Sequence, residues 1–107
     1  MLWGVNASNT KGRLINCVIT QCWWNGISCG SNALIELEGD QTKVDGNGTS
    51  GYNSNSYGLE TYYTDSIIHL LFPLTKESVS TNNGGGRNYG GKGIIKTVNT
   101  FKEVIKK

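Results

Sequence analysis

Two acids and a histidine form the group in this sequence best suited to acid–base chemistry. Glu36 and Glu38 are two residues apart in an apolar run, and residues i and i+2 of a β-strand face the same side of a sheet. Aligning this run with two similar runs places Asn16, Glu36 and His69 in one outward-facing column, with Glu38 beside it. Glu36, Glu38 and His69 are therefore the catalytic candidates if the chain is an enzyme.

The rest of the sequence favours a non-enzymatic protein. Outward-facing charges usually form a solvated surface, and a histidine without a nucleophile at a defined turn is not a catalytic triad. The Asp45-Gly46-Asn47-Gly48 segment resembles part of a calcium loop but lacks further carboxylates. Cys17, Cys22 and Cys29 lack a common zinc-binding spacing and are predicted to be buried free thiols, with one disulfide as the alternative. We predict no metal and no cofactor.

Aromatic side chains give a stronger indication of ligand binding than the acids do. Trp23 and Trp24 are adjacent at a predicted corner, whereas Tyr52, Tyr57 and Tyr62 lie in or beside a predicted loop. Aromatic rings stack on the apolar faces of sugars while neighbouring amides and hydroxyls bind the sugar hydroxyls. These five residues are the predicted ligand-binding residues. The alternative is that they pack loops onto the body of the protein.

The composition restricts the classes of function. The 107 residues suffice for one domain, and 15 glycines with abundant Asn, Thr and Ser favour strands and turns over helices. The formal net charge of +2 is too small to indicate a nucleic-acid partner. No apolar run approaches the ~20 residues that span a bilayer, so we expect no membrane span.

An internal repeat is the most informative feature of the sequence. A glycine followed by an aliphatic residue occurs four times, with the glycines 22, 32 and 35 residues apart: Gly4-Val5, Gly26-Ile27, Gly58-Leu59 and Gly93-Ile94. A strand-like run follows each of the first three, at residues 14–19, 34–37 and 67–71. A third short element follows at residues 19–22, 44–47 and 79–82. Three short strands per unit are typical of a right-handed parallel β-helix.

Stacking of the units gives each short strand a buried face. The alternation of apolar residues places three aliphatic side chains on the inner face: Ile15, Ile35 and Ile68. The alignment stacks three further residues at one corner, where Asn side chains can form a hydrogen-bonded ladder: Cys22, Asn47 and Asn82.

The predicted fold is therefore all-β, a right-handed parallel β-helix of about three to four rungs with loops inserted at residues 48–56 and 83–91. The alternative is a small antiparallel sandwich with hairpin turns at Asn25-Gly26 and Asn83-Gly84.

The last residues change period and are predicted to form a helix. Phe101, Val104 and Ile105 share one helical face, and Thr100 with Glu103 fits a capping box. We predict rungs over residues 1–98 and a short C-terminal capping helix over 99–107.

The three-strand units, the Gly-aliphatic starts and the Asn corners resemble the pectin-lyase-like right-handed β-helix superfamily over about residues 3–98. More narrowly, Ser66-Ile67-Ile68-His69-Leu70, Val79-Ser80-Thr81-Asn82-Asn83 and Asn88-Tyr89-Gly90-Gly91 resemble the end of uncharacterised β-helix repeat proteins of algae and large viruses. The superfamily includes polysaccharide lyases, glycoside hydrolases, phage tailspikes and non-enzymatic adhesive proteins. The resemblance implies a fold and a bias towards polysaccharide ligands, not a reaction.

Three functional hypotheses follow. The first is a non-enzymatic β-helix module of a surface or virion-type protein, extracellular or on a virion surface, that contacts glycans through its loop aromatics. The second is a fragment of a polysaccharide lyase or glycoside hydrolase. The third is a structural protein that forms a homo-oligomer or a larger assembly through an open N-terminal edge.

Overall fold

The computed structural model describes residues 4–49, 56–84 and 87–99. Within these ranges the chain forms eleven short strands and one single-turn α-helix. In chain order these are β1 (Val5–Ala7), β2 (Lys11–Ile15), β3 (Val18–Thr20), β4 (Ile27–Cys29), β5 (Leu34–Glu38), β6 (Lys43–Asp45), β7 (Leu59–Thr61), β8 (Ile67–Leu71), α1 (Lys76–Val79), β9 (Ser80–Thr81), β10 (Tyr89–Gly91) and β11 (Ile94–Val98).

The chain visits three parallel sheets in the same cyclic order. Sheet 1 has the strand order β1-β4-β7-β10, sheet 2 has β2-β5-β8-β11, and sheet 3 has β3-β6-β9. Each of the first eight strands thus pairs with the third strand after it in the sequence. All strand pairs in the described residues are parallel, so the alternative of an antiparallel sandwich is wrong for this part of the chain.

One hydrophobic cluster draws side chains from all three sheets. Alternate residues of the strands contribute to it, as the pleat requires. Its buried members are Ala7, Ile27, Cys29, Ala33, Ile35, Leu37, Val44, Leu59, Ile68, Leu70, Leu74 and Val79. The predicted inner positions of Ile35 and Ile68 are confirmed, because both side chains belong to this cluster.

The predicted inner position of Ile15 is wrong. The run over residues 14–19 is divided between β2 and β3 by Asn16, which has a left-handed backbone conformation with φ of 52°. Leu14, not Ile15, pairs with Leu37 across the sheet, and Leu14 packs against the core. Ile15 follows Leu14 in β2, so its side chain points to the opposite face of the sheet, and it is 54% exposed.

The predicted corner stack is shifted by one residue at its last member. Cys22, Asn47 and Asn83 stack here, whereas Asn82 lies one position earlier and is exposed. The reason is backbone conformation, since the residue before each member of the stack has a positive φ: Gln21 at 60°, Gly46 at 69° and Asn82 at 54°. Asn adopts this conformation more readily than most residues.

The fourth unit also differs from the prediction. Tyr89 pairs with Leu59 in sheet 1, whereas Gly93-Ile94 leads into β11 in sheet 2. Part of the predicted loop over residues 83–91 is therefore β10. A helix that was not predicted, α1, precedes β9, and Thr75 caps it by accepting a hydrogen bond from the Ser78 N–H. Most of the loop over 48–56, and the helix over 99–107 apart from its first residue, lie outside the described residues.

Candidate functional site

A cavity of about 370 Å³ lies on the outer side of sheet 1, and we call it the Glu60 cavity. Its lining residues are Tyr57, Glu60, Tyr62, Gly91 and Lys92. The two neighbours of Glu60 on β7, Leu59 and Thr61, are fully buried, so the pleat directs the Glu60 side chain to the opposite face. One acid, one lysine and two tyrosines line the cavity.

Glu60 is buried although it lies on the outer face. Only 8% of the residue is exposed. Its Oε1 accepts hydrogen bonds from Asn25 Nδ2 at 2.8 Å and from Ser28 Oγ at 3.3 Å. Both donors are themselves buried and lie on or just before β4, the neighbouring strand. These bonds fix the orientation of the carboxyl group.

Burial shifts the protonation equilibrium of Glu60 towards its neutral form, relative to an exposed glutamate. Burial raises the pKa of its carboxyl group above the ordinary value, and the hydrogen bonds from Ser28 and Asn25 only partly oppose this effect. A glutamate in such an environment holds a proton at a higher pH than an exposed one, and it can then act as a hydrogen-bond donor.

Tyr57 is positioned beside Glu60 by Asn25 and by a glycine. The backbone N–H of Tyr57 donates to Asn25 Oδ1 at 2.5 Å, so Asn25 holds both residues. Gly90 follows Glu60 in the outer column of sheet 1, and a Cβ atom at residue 90 would collide with the Tyr57 ring. The missing side chain at Gly90 thus creates the space that the ring occupies.

Tyr62 forms the other aromatic part of the cavity. Its backbone N–H donates to the Cys29 carbonyl at 2.9 Å, which extends the pairing of β7 with β4 by one residue. Its ring packs edge-to-face on Tyr63, with centroids 4.8 Å apart. Tyr62 is 55% exposed, so much of its surface is accessible to a ligand.

The structure brings together two of the five predicted ligand-binding aromatics, Tyr57 and Tyr62. Trp23 and Trp24 lie between β3 and β4; Trp23 is 52% exposed and Trp24 is half-buried. Neither of them lines the Glu60 cavity. Tyr52 lies outside the described residues.

The catalytic candidates lie on sheet 2, where Glu36 and His69 belong to one column of charged and polar side chains and Glu38 lies beside it. Arg13, Glu36, His69 and Lys96 are aligned across β2, β5, β8 and β11, so Arg13 occupies the place predicted for Asn16. This difference has the same cause as the error at Ile15, because β2 ends before Asn16, and Arg13 of β2 lies opposite Glu36 instead.

Ion pairs connect Arg13 to both acids of β5. Arg13 Nε lies 3.3 Å from Glu36 Oε1, and Arg13 Nη1 lies 3.8 Å from Glu38 Oε1. Burial and the nearby Lys96 lower the pKa of His69, against the opposing effect of Glu36. Glu36, Glu38 and His69 are each half-buried, and none of the three lines the Glu60 cavity.

A second cavity, of about 310 Å³, lies beside α1 and the last strands of sheets 1 and 2. It is lined by Thr61, Lys76, Tyr89, Gly90, Gly91, Gly93, Ile94 and Ile95. Lys76 Nζ lies 4.9 Å from the centre of the Tyr89 ring, and the Tyr89 hydroxyl donates to Glu77 Oε2 at 3.3 Å. The Glu77 charge raises the pKa of Tyr89. These contacts connect α1 to β10.

The three cysteines are free thiols. Cys22 and Cys29 are buried as predicted, whereas Cys17 is half-buried. Burial raises the pKa of Cys29 to about 12, so this thiol is unreactive at neutral pH. Across the described ranges, no three His, Cys, Asp or Glu side chains converge as metal ligands would. The single helix of these ranges has neither the length nor the hydrophobicity of a membrane span.

Glu60 and Lys92 were not predicted from the sequence as site residues. A signal for Glu60 was present, because it follows Gly58-Leu59 as Ser28 follows Gly26-Ile27, and the repeat therefore assigns both to the outer face.

Comparison of the chain with protein-family models, with curated proteins and with solved structures finds no match.

Proposed function

We propose that this chain is a β-helix module that binds a glycan in the Glu60 cavity without cleaving it. The observation that carries the proposal is the convergence of Tyr57 and Tyr62 with Glu60 and Lys92 around one cavity. Aromatic rings stack on the apolar faces of sugars, and carboxyl and ammonium groups hydrogen-bond to their hydroxyls.

Binding is favoured over hydrolysis by the number of acids in the cavity. Glycoside hydrolases use a pair of carboxyl groups on either side of the scissile bond. Glu60 is the only acid among the described residues that line this cavity. Glu36 and Glu38 lie on sheet 2, whereas Glu60 is on sheet 1, so they do not supply its partner.

The proposed architecture is a right-handed parallel β-helix in which each circuit through sheets 1, 2 and 3 is one rung. The cyclic strand order supports this arrangement, as does the corner stack of Cys22, Asn47 and Asn83. Connections between parallel strands of one sheet are right-handed in about 98% of cases. The resemblance to the pectin-lyase-like superfamily points to an extracellular or virion-surface protein as the source of the module.

The test is a panel of immobilised neutral and acidic polysaccharides, with retention, reducing ends and unsaturated product followed together. We expect retention without product. Tyr62→Ala should weaken binding about three- to tenfold, the range expected for one stacked ring. Phe72→Ala is the control, because Phe72 is 64% exposed and does not line the cavity. Circular dichroism verifies the fold of each variant.

Other outcomes would redirect the proposal. Product formation would support the hydrolase or lyase alternative and direct attention to Glu36, Glu38 and His69. Loss of retention in Trp23→Ala but not in Tyr62→Ala would show that the glycan binds at the corner formed by Trp23 and Trp24 instead. Absence of retention on every polysaccharide would contradict glycan binding.

A second candidate function is assembly through the first strands. Among the described residues β1, β2 and β3 are terminal strands of their sheets, and Ile15 in β2 and Val18 in β3 are 54% and 63% exposed. Unpaired strand edges next to exposed apolar side chains favour association with another chain. Light scattering at increasing concentration tests this function. Oligomers that dissociate in Val18→Lys would support it, and a monomer at every concentration would contradict it.

A further inference from the structure

We infer that Glu60 contacts the glycan as a carboxylic acid, with its Oε2 hydroxyl donating a hydrogen bond into the cavity, so that ligand binding takes up a proton. This inference rests on the proposed function and assigns one atom of the site a role in recognition. It also predicts that the affinity is controlled by pH.

The hydrogen bonds of Glu60 distinguish its two oxygens. Asn25 Nδ2 and Ser28 Oγ both donate to Oε1, and among the described residues none donates to Oε2. In a protonated carboxyl group one oxygen acts as a carbonyl acceptor and the other carries the proton. The donors therefore assign the acceptor role to Oε1 and leave the hydroxyl role to Oε2.

Few charges act on this carboxyl group. β4 and the segment before it present only the uncharged Ser28 and Asn25 to it, and β10 presents Gly90, which has no side chain. Of the other described lining residues, Tyr57 and Tyr62 are phenols, and Lys92 is the one cation. No ion pair joins Lys92 to Glu60 in the described part of the chain.

Ligand binding should increase the preference for the neutral form. The raised pKa of Glu60 arises mainly from burial. A sugar ring between Tyr57 and Tyr62 would displace water from the cavity and bury the carboxyl group further. Removing a carboxylate from water without a cationic partner is costly, so the bound complex should hold the proton more tightly than the free protein.

The test uses three uncharged probes, cellohexaose, xylohexaose and maltohexaose, because any proton exchanged on binding then belongs to the protein. Isothermal titration calorimetry from pH 4.5 to 7.5, in two buffers of different ionisation enthalpy, gives the affinity and the proton count. We expect uptake approaching one proton per ligand at the upper end of this range. The affinity should fall by up to about tenfold per pH unit above the pKa of Glu60.

The decisive variant is Glu60→Gln, whose amide replaces the acid as a donor while its carbonyl still accepts from Asn25 and Ser28. It should bind at every pH with the affinity that the wild type has at low pH. Lys92→Met should keep the proton uptake, and Glu77→Gln, an exposed acid outside the cavity, should behave as the wild type.

The contrary outcomes are distinct. Wild-type binding that is independent of pH, or loss of binding in Glu60→Gln with the fold intact, would overturn the proton-linked role and leave glycan binding standing. Absence of binding to all three probes at every pH, together with absence of retention on the polysaccharide panel, would overturn the proposed function itself.

Discussion

Asn83 accepts two hydrogen bonds from Asn47 through one oxygen, its Oδ1, which lies 3.0 Å from both the backbone nitrogen and the side-chain nitrogen of Asn47. Asn47 Oδ1 accepts in turn from the Cys22 N–H, and Asn88 Oδ1 accepts from the Asn83 N–H, each at 3.0 Å. These side chains form a ladder that satisfies backbone N–H groups where the chain leaves sheet 3. Buried backbone groups require such partners.

We predict that Asn47→Ala destabilises the protein by more than about 2 kcal/mol, because it leaves several buried groups without hydrogen bonds. Asn47 is 1% exposed, and its side chain bonds to Cys22, Ile19, Asp45 and Asn83. Urea denaturation followed by circular dichroism measures the change. The control is Asn6→Ala, an exposed asparagine on β1, which should change the stability by less than about 0.5 kcal/mol.

The register of β2 against β5 predicts different effects for two aliphatic residues. Leu37→Ala removes a fully buried side chain of the core and should cost about 2 to 5 kcal/mol. Ile15→Ala removes a side chain that is 54% exposed and should cost less than about 1 kcal/mol. Urea denaturation of both variants provides the comparison. Equal losses in the two variants would contradict the observed register and favour the inner position for Ile15.

The raised pKa of Glu60 predicts how stability depends on pH. The pKa of Glu60 is higher in the folded protein than in the unfolded chain. Its contribution to the free energy of unfolding is therefore fully present at a pH below the pKa of the unfolded chain, and it is lost as the pH rises through the pKa of the folded protein. Glu60→Gln lacks this loss. Its melting temperature relative to the wild type should therefore increase from pH 4 to pH 7.5, as measured by thermal unfolding. A difference that is constant with pH would show that Glu60 has an ordinary pKa in the fold.

The close contact between Gly90 and the Tyr57 ring predicts that a side chain at residue 90 disturbs the Glu60 cavity. Its φ lies outside the left-handed region, so alanine is compatible with the backbone, but its Cβ would collide with the Tyr57 ring. Gly90→Ala should therefore displace this ring and weaken glycan retention several-fold. Gly12→Ala is the matched control, because its Cβ meets only the flexible end of Ile35 at 3.3 Å. Retention that is unchanged in Gly90→Ala would show that the Tyr57 ring does not contribute to binding.

Strand positions could be predicted wherever they depend on the pattern of neighbouring residues in the sequence. The predicted strand over residues 67–71 coincides with β8, and the strand over 34–37 is one residue shorter than β5. Both are aliphatic runs bounded by polar residues. The prediction of one strand over 14–19 was wrong because Asn16 interrupts the run with a positive φ, which the apolar pattern does not reveal. The same effect displaced the ladder from Asn82 to Asn83.

The candidate site was predicted only in part. Tyr57 and Tyr62 were identified by their type and by their position beside a loop, and the structure places both at one cavity. The acid of that cavity was missed, because outward-facing residues of a strand are normally solvated. What distinguishes Glu60 from Glu36 is its surroundings, and these come from residues about 30 positions away.

By itself the sequence determined the repeating parallel strands and the polar corners, because alternation, glycine position and asparagine conformation act over a few neighbouring residues. Only the tertiary structure decided which outward side chains are buried. The hydrogen bonds of Glu60 come from β4 and the segment before it, and the space for the Tyr57 ring comes from Gly90 on β10. Burial depends on such contacts between distant segments, and the pKa of Glu60 follows from that burial.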